Sequence, residues 1–348
     1  MKIGILTLPY EPNYGWAVQL WALYISIEKQ GHKPVVLNRR WNATQKNLLY
    51  KIKRILYYKG ICRRFSRFLD NEIINITREI RDNETMAKLV EGLDAIVVGS
   101  DQVWRIENTR GANLNYFLDF IHGNSTKRIA YAASFGKDTW QGTPEETEKV
   151  AQLLSKFDTI TVREDSGVTL CNVLFNVKAI HVVDPTLLLT SNDYNAILSR
   201  PQNKSQITTY ILDSTFEKND AILKVAEIMK LNVVPLYPKK KITYYHSVYY
   251  WLENIRDAEC VIVDSFHGMV LSIVFRKNFV VLANSQRGLT RFTSLLSHLG
   301  LEDRLTNEFT CESIMKILSN EIDYCQIEFK LNRMREFSLN ILKESLQI

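Results

Sequence analysis

The chain predicts an α/β protein of two Rossmann-like lobes facing each other across a central cleft, with a C-terminal helix that packs back. Three observations predict it. Short β-branched runs alternate with longer helix-like segments, the pattern of parallel sheets. The alternation pauses after Asp184-Pro185-Thr186 and restarts at Ile207. The length, 348 residues, suits two α/β domains rather than one. In the first lobe, apolar runs predict strands over 2–8, 34–38, 95–98, 128–134, 159–162 and 180–183. Helical periodicity falls between them at 16–30, 48–68, 84–91, 144–156 and 166–175. In the second lobe, strands are predicted over 207–212, 232–236, 260–263 and 279–282, with helices at 217–229, 248–256 and 268–275. The amphipathic stretch 324–347 reads as the closing helix. The predicted division is therefore 1–190, 191–322 and 323–348. No internal repeat or low-complexity segment interrupts it.

Hydrophobic residues make up 46% of the chain and charged residues 24%, so a sizeable core is possible. No apolar run approaches the ~20 residues that span a bilayer. Met1-Lys2-Ile3-Gly4-Ile5-Leu6 runs directly into a strand pattern rather than a cleavable leader. The five cysteines, widely spaced and without a C-x-x-C pair, suggest neither a disulfide framework nor a zinc site. A cytoplasmic location is expected, and no metal.

The net charge of +6 is modest but unevenly spread. Between Trp41 and Leu69 there is no acid, while Lys46, Lys51, Lys53, Arg54, Lys59, Arg63, Arg64 and Arg67 interleave with apolar residues at roughly helical spacing. Such a basic amphipathic segment, 46–68, suits the surface of an anionic membrane. A surface helix packed on the first lobe with solvated charges has the same pattern. A nucleic-acid face is the remote alternative, and no nucleic-acid partner is expected.

One pentapeptide carries the most chemistry. Asp264-Ser265-Phe266-His267-Gly268 comes after the apolar run 260–263 and precedes the apolar run 269–275. That places His267 where a strand ends and a helix begins. In α/β sheets ligands bind outside the carboxyl ends of the strands. A helix amino terminus also presents free N–H groups to anions, and a histidine there titrates near neutral pH. A structural, hydrogen-bonded histidine would fit the position equally well. Sequence motifs for other chemistry are missing: after the first strand there is no G-x-G-x-x-G, and no P-loop, H-E-x-x-H or G-x-S-x-G occurs.

Six segments line up in order: Asn13-Tyr14-Gly15-x-x-x-Gln19, Gly99-Ser100-Asp101-Gln102-Val103-Trp104, Tyr131-Ala132-Ala133-Ser134-Phe135-Gly136, Val162-Arg163-Glu164-Asp165, Asp184-Pro185-Thr186-Leu187-Leu188-Leu189, and the pentapeptide 264–268. Together, over residues 3–304, they resemble the polysaccharide pyruvyl transferase family. The resemblance implies a GT-B-like pair of lobes and transfer of the enolpyruvyl unit of phosphoenolpyruvate to sugar hydroxyls, leaving a pyruvate ketal. It implies no cofactor, phosphoenolpyruvate being a co-substrate, and no metal. The acceptor would be a glycan, commonly lipid-linked, which suits peripheral contact with the inner face of a membrane.

By the same resemblance His267 is the general acid and Arg163 holds the donor's anionic groups. Many members have Arg-x-His where this chain has Ser265-Phe266-His267, so another cation must help, and Arg291 or Arg287 is the candidate. Ser265, Phe266 and Gly268 complete the donor side. Asp101 would orient the acceptor hydroxyl or accept its proton, although a turn carboxylate fits as well. Asn13, Tyr14, Gly15, Gln19, Ser100, Gln102, Trp104 and Ser134 fall on the cleft and acceptor side, with core packing the alternative for Trp104. Glu164 and Asp165 read as caps of the helix after them. The cluster of Tyr244, Tyr245, Tyr249, Tyr250 and Trp251 could stack on sugars or simply pack, and His246 within it reads as a surface residue rather than a second catalyst. Two rival functions remain: a nucleotide-sugar glycosyltransferase of GT-B type, against which no glutamate pair at the retaining-enzyme spacing is found, and a non-catalytic homologue in a polysaccharide assembly complex.

Overall fold

The computed structural model describes residues 1–41, 57–112, 114–123, 125–237, 245–284 and 288–347. They form two compact units. The first takes residues 1–41, 69–188 and 334–347, and the second 57–68 and 189–333.

The first unit is built on a six-stranded parallel sheet: β1 (Lys2–Leu6), β2 (Lys33–Val36), β3 (Ala95–Val98), β4 (Lys127–Ala133), β5 (Thr159–Val162) and β6 (Ile180–His181). Its order is β2-β1-β3-β4-β5-β6. The second unit has a five-stranded parallel sheet of β7 (Lys204–Tyr210), β8 (Asn232–Pro235), β9 (Ala258–Val263), β10 (Asn278–Leu282) and β11 (Leu305–Thr306), in the order β11-β10-β9-β7-β8. All four residues of β3 are buried, as are Cys260 to Val263 of β9. Parallel strands have helices over both faces, which is why they read as unbroken apolar runs. The predicted fold class of two parallel-sheet, Rossmann-like units is what the structure contains.

Each sheet has one place where the order reverses. From β1 the chain turns through the helix Tyr14–Lys29 to β2 on one side, while β3 lies on the other. From β7 it turns through the helix Phe216–Met229 to β8, while β9 lies on the other side. At such switch points the loops leave in opposite directions and open a crevice. These are β1/β3 and β7/β9.

Two expectations about the basic segment change. Residues 42–56 lie outside the described residues. Beyond them the chain forms a π-helical turn, Tyr57–Ile61, and the helix Arg63–Glu72. Residues 57–68 group with the second unit rather than the first. The reason is aromatic packing: Phe65 lies 6.4 Å from Tyr245 and Phe68 5.2 Å from Tyr249, edge to face. Arg63, Arg64 and Arg67 stay exposed. The closing helix is one element, Tyr324–Ser345, which contributes to both units. In the second unit Lys330 Nζ donates to Leu299 O at 2.8 Å. In the first, Arg335 Nε donates to Leu187 O at 2.8 Å, and Ser338 Oγ accepts from Val183 N at 3.1 Å. Among the described residues no helix is long and apolar enough to cross a membrane.

Candidate functional site

The motif residues gather at the two switch points. At β1/β3, Asn13 caps the helix Tyr14–Lys29 by accepting from Trp16 N at 3.2 Å. Tyr14 and Gly15 form the buried first turn. Gln19, fully buried, donates to Thr7 Oγ1 at 3.2 Å, and Thr7 Oγ1 donates to Ser100 O at 3.1 Å. Gln19 thus ties the loop after β1 to the loop after β3. Asp101 sits at φ 85°, a left-handed region that costs a non-glycine residue strain and that clusters at functional sites. Its Oδ1 accepts from Gln102 N at 2.8 Å. Gln102 Oε1 accepts from Arg105 Nη1 at 3.1 Å and lies against Gly136, where a built Cβ would approach it to 2.7 Å. Gly136 has φ 73°, an angle that favours glycine, and a side chain there would push on the amide end of Gln102.

Behind these loops lies a buried ionic cluster. The Arg163 guanidinium has no exposed side-chain surface, and its Nη1 donates to Asp184 Oδ2 at 2.6 Å and Ser100 Oγ at 3.2 Å. Its Nη2 is 3.7 Å from Asp101 Oδ1, and its Nε is 3.9 Å from Glu164 Oε2. Asp184 also accepts from Ser100 Oγ at 2.8 Å, and from Thr186 N and Oγ1 at 3.0 and 2.6 Å. Glu164, expected to cap the next helix, occupies the cap position without a side-chain cap bond. Its Oε1 instead accepts from Ser134 Oγ at 2.9 Å, Phe135 N at 2.8 Å and Gly136 N at 3.3 Å. Ser134 is therefore engaged inside the cluster. Trp104 is core: its Nε1 donates to Tyr116 O at 2.9 Å, and its ring stacks on Phe117 at 5.7 Å.

At β7/β9 the pentapeptide has the predicted geometry. The helix Phe266–Val274 starts directly after Ser265, whose Oγ accepts from Gly268 N at 3.0 Å. Ser265 is therefore the cap of this helix. His267 is the second helical residue and 9% exposed. A Cβ on Gly268 would lie 2.9 Å from both Ser265 Oγ and Val263 Cγ1, so glycine lets helix and strand approach. Phe266 packs edge-on against Phe292 at 5.8 Å, and the Arg291 guanidinium lies 5.6 Å from the centre of the Phe266 ring. The structure thus puts Arg291, in the first turn of the helix Thr290–Leu299, against the residue next to His267. Arg287 lies outside the described residues.

The aromatic cluster divides. Trp251 is buried, and Tyr245 and Tyr249 pack on Phe65 and Phe68. His246 stacks on Tyr250 at 4.3 Å, and burial together with the charge of Arg64 lowers its pKa. Tyr244 lies outside the described residues. Lys218 has no conspicuous place in the sequence. Its Nζ, almost fully buried, donates to Asp264 Oδ2 at 3.0 Å and to Asp213 O at 3.2 Å. A lysine near a helix start reads as solvated, so the one available signal was the acid of the pentapeptide, which needs a partner once buried.

Solved structures of similar fold share 12–13% identity with this chain. UDP-GlcNAc 2-epimerase from Neisseria meningitidis bound to UDP-GlcNAc matches with TM-score 0.56 and 13% identity, over 99% of each chain. S. aureus MnaA with UDP matches with TM-score 0.54 and 12% identity, over 97% of this chain and 91% of that one. An alpha-glucosyltransferase in complex with UDP matches with TM-score 0.51 and 12% identity, over 97% and 95%. At such identity the likeness shows the fold, that of GT-B glycosyltransferases and epimerases. A comparison with curated proteins gives no match. The family model of polysaccharide pyruvyl transferase matches residues 13–286, a stretch that holds all six motifs whole, with Asp264 to Gly268 among them. The first of them, 13–19, begins at the first matched residue, and on this span the chain belongs to the polysaccharide pyruvyl transferase family.

Proposed function

We propose that this protein transfers the pyruvyl group of phosphoenolpyruvate to two hydroxyls of a glycan, forming a pyruvate ketal during synthesis of a cell-surface polysaccharide. The family match over residues 13–286, which includes the helix start bearing His267, carries the reading. In this scheme His267 protonates the methylene carbon of phosphoenolpyruvate, leaving an oxocarbenium-like centre at C2. A sugar hydroxyl attacks that carbon and loses its proton, for which Asp101 is the acceptor. Phosphate leaves, and a second hydroxyl attacks C2 and closes the ketal, its proton returning to the His267 imidazole. No redox partner is needed.

The donor carries a phosphate and a carboxylate, so its seat needs cations and N–H donors. The start of the helix Phe266–Val274 supplies N–H groups, and Arg291 stands in for the arginine replaced by Ser265. Arg163 enters differently from its first assignment. A guanidinium without exposed surface has no face to offer a dissolved anion in this state, so its effect passes through Asp101, 3.7 Å away. Any membrane contact is electrostatic in this reading, because Phe65 and Phe68 are buried and Arg63, Arg64 and Arg67 are what the helix presents. Binding to anionic vesicles should then vanish in high salt.

The deciding experiment is a thermal-shift comparison of phosphoenolpyruvate with UDP-sugars, together with phosphate release on a panel of glycan acceptors. Stabilisation by phosphoenolpyruvate and acceptor-dependent phosphate release are expected. Stabilisation by a UDP-sugar alone would move the chain to the glycosyltransferase reading. Donor binding without release on any acceptor would make it a binding homologue.

A further inference from the structure

We propose that Lys218, Asp264 and Asn284 form a positioning network that holds His267 for proton transfer, an inference that rests on the reading of His267 as the acid. Asp264 is the last residue before the Ser265 cap, three residues from His267, and it has no exposed surface. Its Oδ1 accepts from Leu212 N at 2.6 Å, and its Oδ2 from Asp213 N at 3.1 Å and Lys218 Nζ at 3.0 Å. The carboxylate therefore grips the loop after β7 from the turn after β9, across the switch point. Asn284, just beyond β10, donates from Nδ2 to Asp213 Oδ2 and holds the same loop from the other neighbour. The pentapeptide is pinned at both ends, at Asp264 by this loop and at Gly268 by the Ser265 cap. His267 lies inside the pinned stretch.

Lys218 is unfavourably placed for stability alone. It sits in the first turn of the helix Phe216–Met229, where the helix dipole disfavours a cation, and its ammonium is almost fully buried. A buried ion pair is seldom more stabilising than apolar residues of the same shape, and its best-attested use is fixing one geometry. The Phe309 ring, 5.1 Å from Nζ, completes the enclosure. Lys218 thus reaches the chemistry through Asp264 and the turn, without touching a substrate.

The test compares three folded variants of the full chain by kinetics and by the ring 15N signals of His267, assigned by their loss in His267→Gln. The double variant Lys218→Met/Asp264→Asn removes both charges and keeps an acceptor for Leu212 N. It should lower kcat about tenfold, since small misplacements of a catalytic group are costly. KM for phosphoenolpyruvate should stay within about threefold, because uniform binding is untouched. The His267 ring signals should move. Lys218→Arg, which restores the charge, should return both readouts close to the parent. Asn284→Ala loosens the same loop without a buried charge and should shift the signals in the same sense but less, so the proposal remains testable if the double variant fails to fold. Unmoved ring signals and parental kcat in the folded variants overturn the proposal, even if the melting temperature falls. A parent protein that never turns over phosphoenolpyruvate defeats the pyruvyl reading instead, while the ring signals still report on the network.

Discussion

The two switch points are the same device built with a different balance of charge. At β1/β3, three carboxylates, Asp101, Glu164 and Asp184, surround one buried guanidinium, Arg163. At β7/β9, Asp264 is matched by Lys218, and the helix start bearing His267 has Arg291 against it. The first end is rich in proton acceptors, and its guanidinium is enclosed by them. The second presents N–H groups, an imidazole and a guanidinium. A neutral polyol that must lose protons suits the first, and a multiply charged anion that must gain one suits the second. In the pyruvyl-transfer reading proposed above, the difference would let one sheet topology, used twice in a chain, serve two unlike substrates.

That contrast can be broken in several places. His267→Gln should fold normally and lower kcat by ~10²–10⁴-fold, as expected for loss of a general acid. Near-parental turnover in a well-folded variant would remove the second switch point from the chemistry. The two arginines should then separate cleanly. Arg163→Ala strands buried carboxylates and should cost about 3–5 kcal/mol in urea unfolding, with Asp184 the main victim. Arg291→Ala, which loses packing on Phe266 but strands no carboxylate cluster, should cost less stability than Arg163→Ala and weaken phosphoenolpyruvate binding by about 1.5–3 kcal/mol, the usual worth of a hydrogen bond to a charged group. Titration calorimetry with each variant reads this directly. If Arg163→Ala instead lost donor affinity while staying stable, the assignment of charge to the two ends would be reversed. Ser265→Ala is a smaller probe: loss of a helix cap costs ~1 kcal/mol, visible as a lower melting temperature.

The legible features are those whose information is local. Runs such as Ala95-Ile96-Val97-Val98 and Cys260-Val261-Ile262-Val263 announce buried strands by composition alone, and both are central strands. The junction around His267 was legible from the apolar runs on either side of it, but the helix begins at Phe266 rather than Gly268, and Ser265, expected on the donor side, caps it. The strand order was not legible, since which strands pair is decided by long-range packing. The helix Cys311–Ser319 was missed although Thr310 caps it and Ile314, Ile317 and Leu318 line its buried face. Its brevity hid the period. Burial was the least readable property of all. Arg163 was found by its neighbours in sequence, but its enclosure by Asp184 and Ser100 comes from strands and loops up to 63 residues away. Lys218 and Asp264 are 46 residues apart, and neither is unusual without the other.

The positive φ of Asp101 carries a further consequence, for evolution rather than catalysis. A backbone at φ 85° is a standing local frustration, tolerated by aspartate better than by most residues but relieved only by glycine. Asp101→Gly and Asp101→Ala both delete the carboxylate, so their difference isolates the backbone. Glycine should leave the protein more stable than alanine by about 1 kcal/mol, measurable by urea midpoints, while both should be equally poor catalysts. Selection for stability alone would drift this site toward glycine. If Asp101 is the proton acceptor proposed above, its acid at such an angle is a trade of robustness for reactivity.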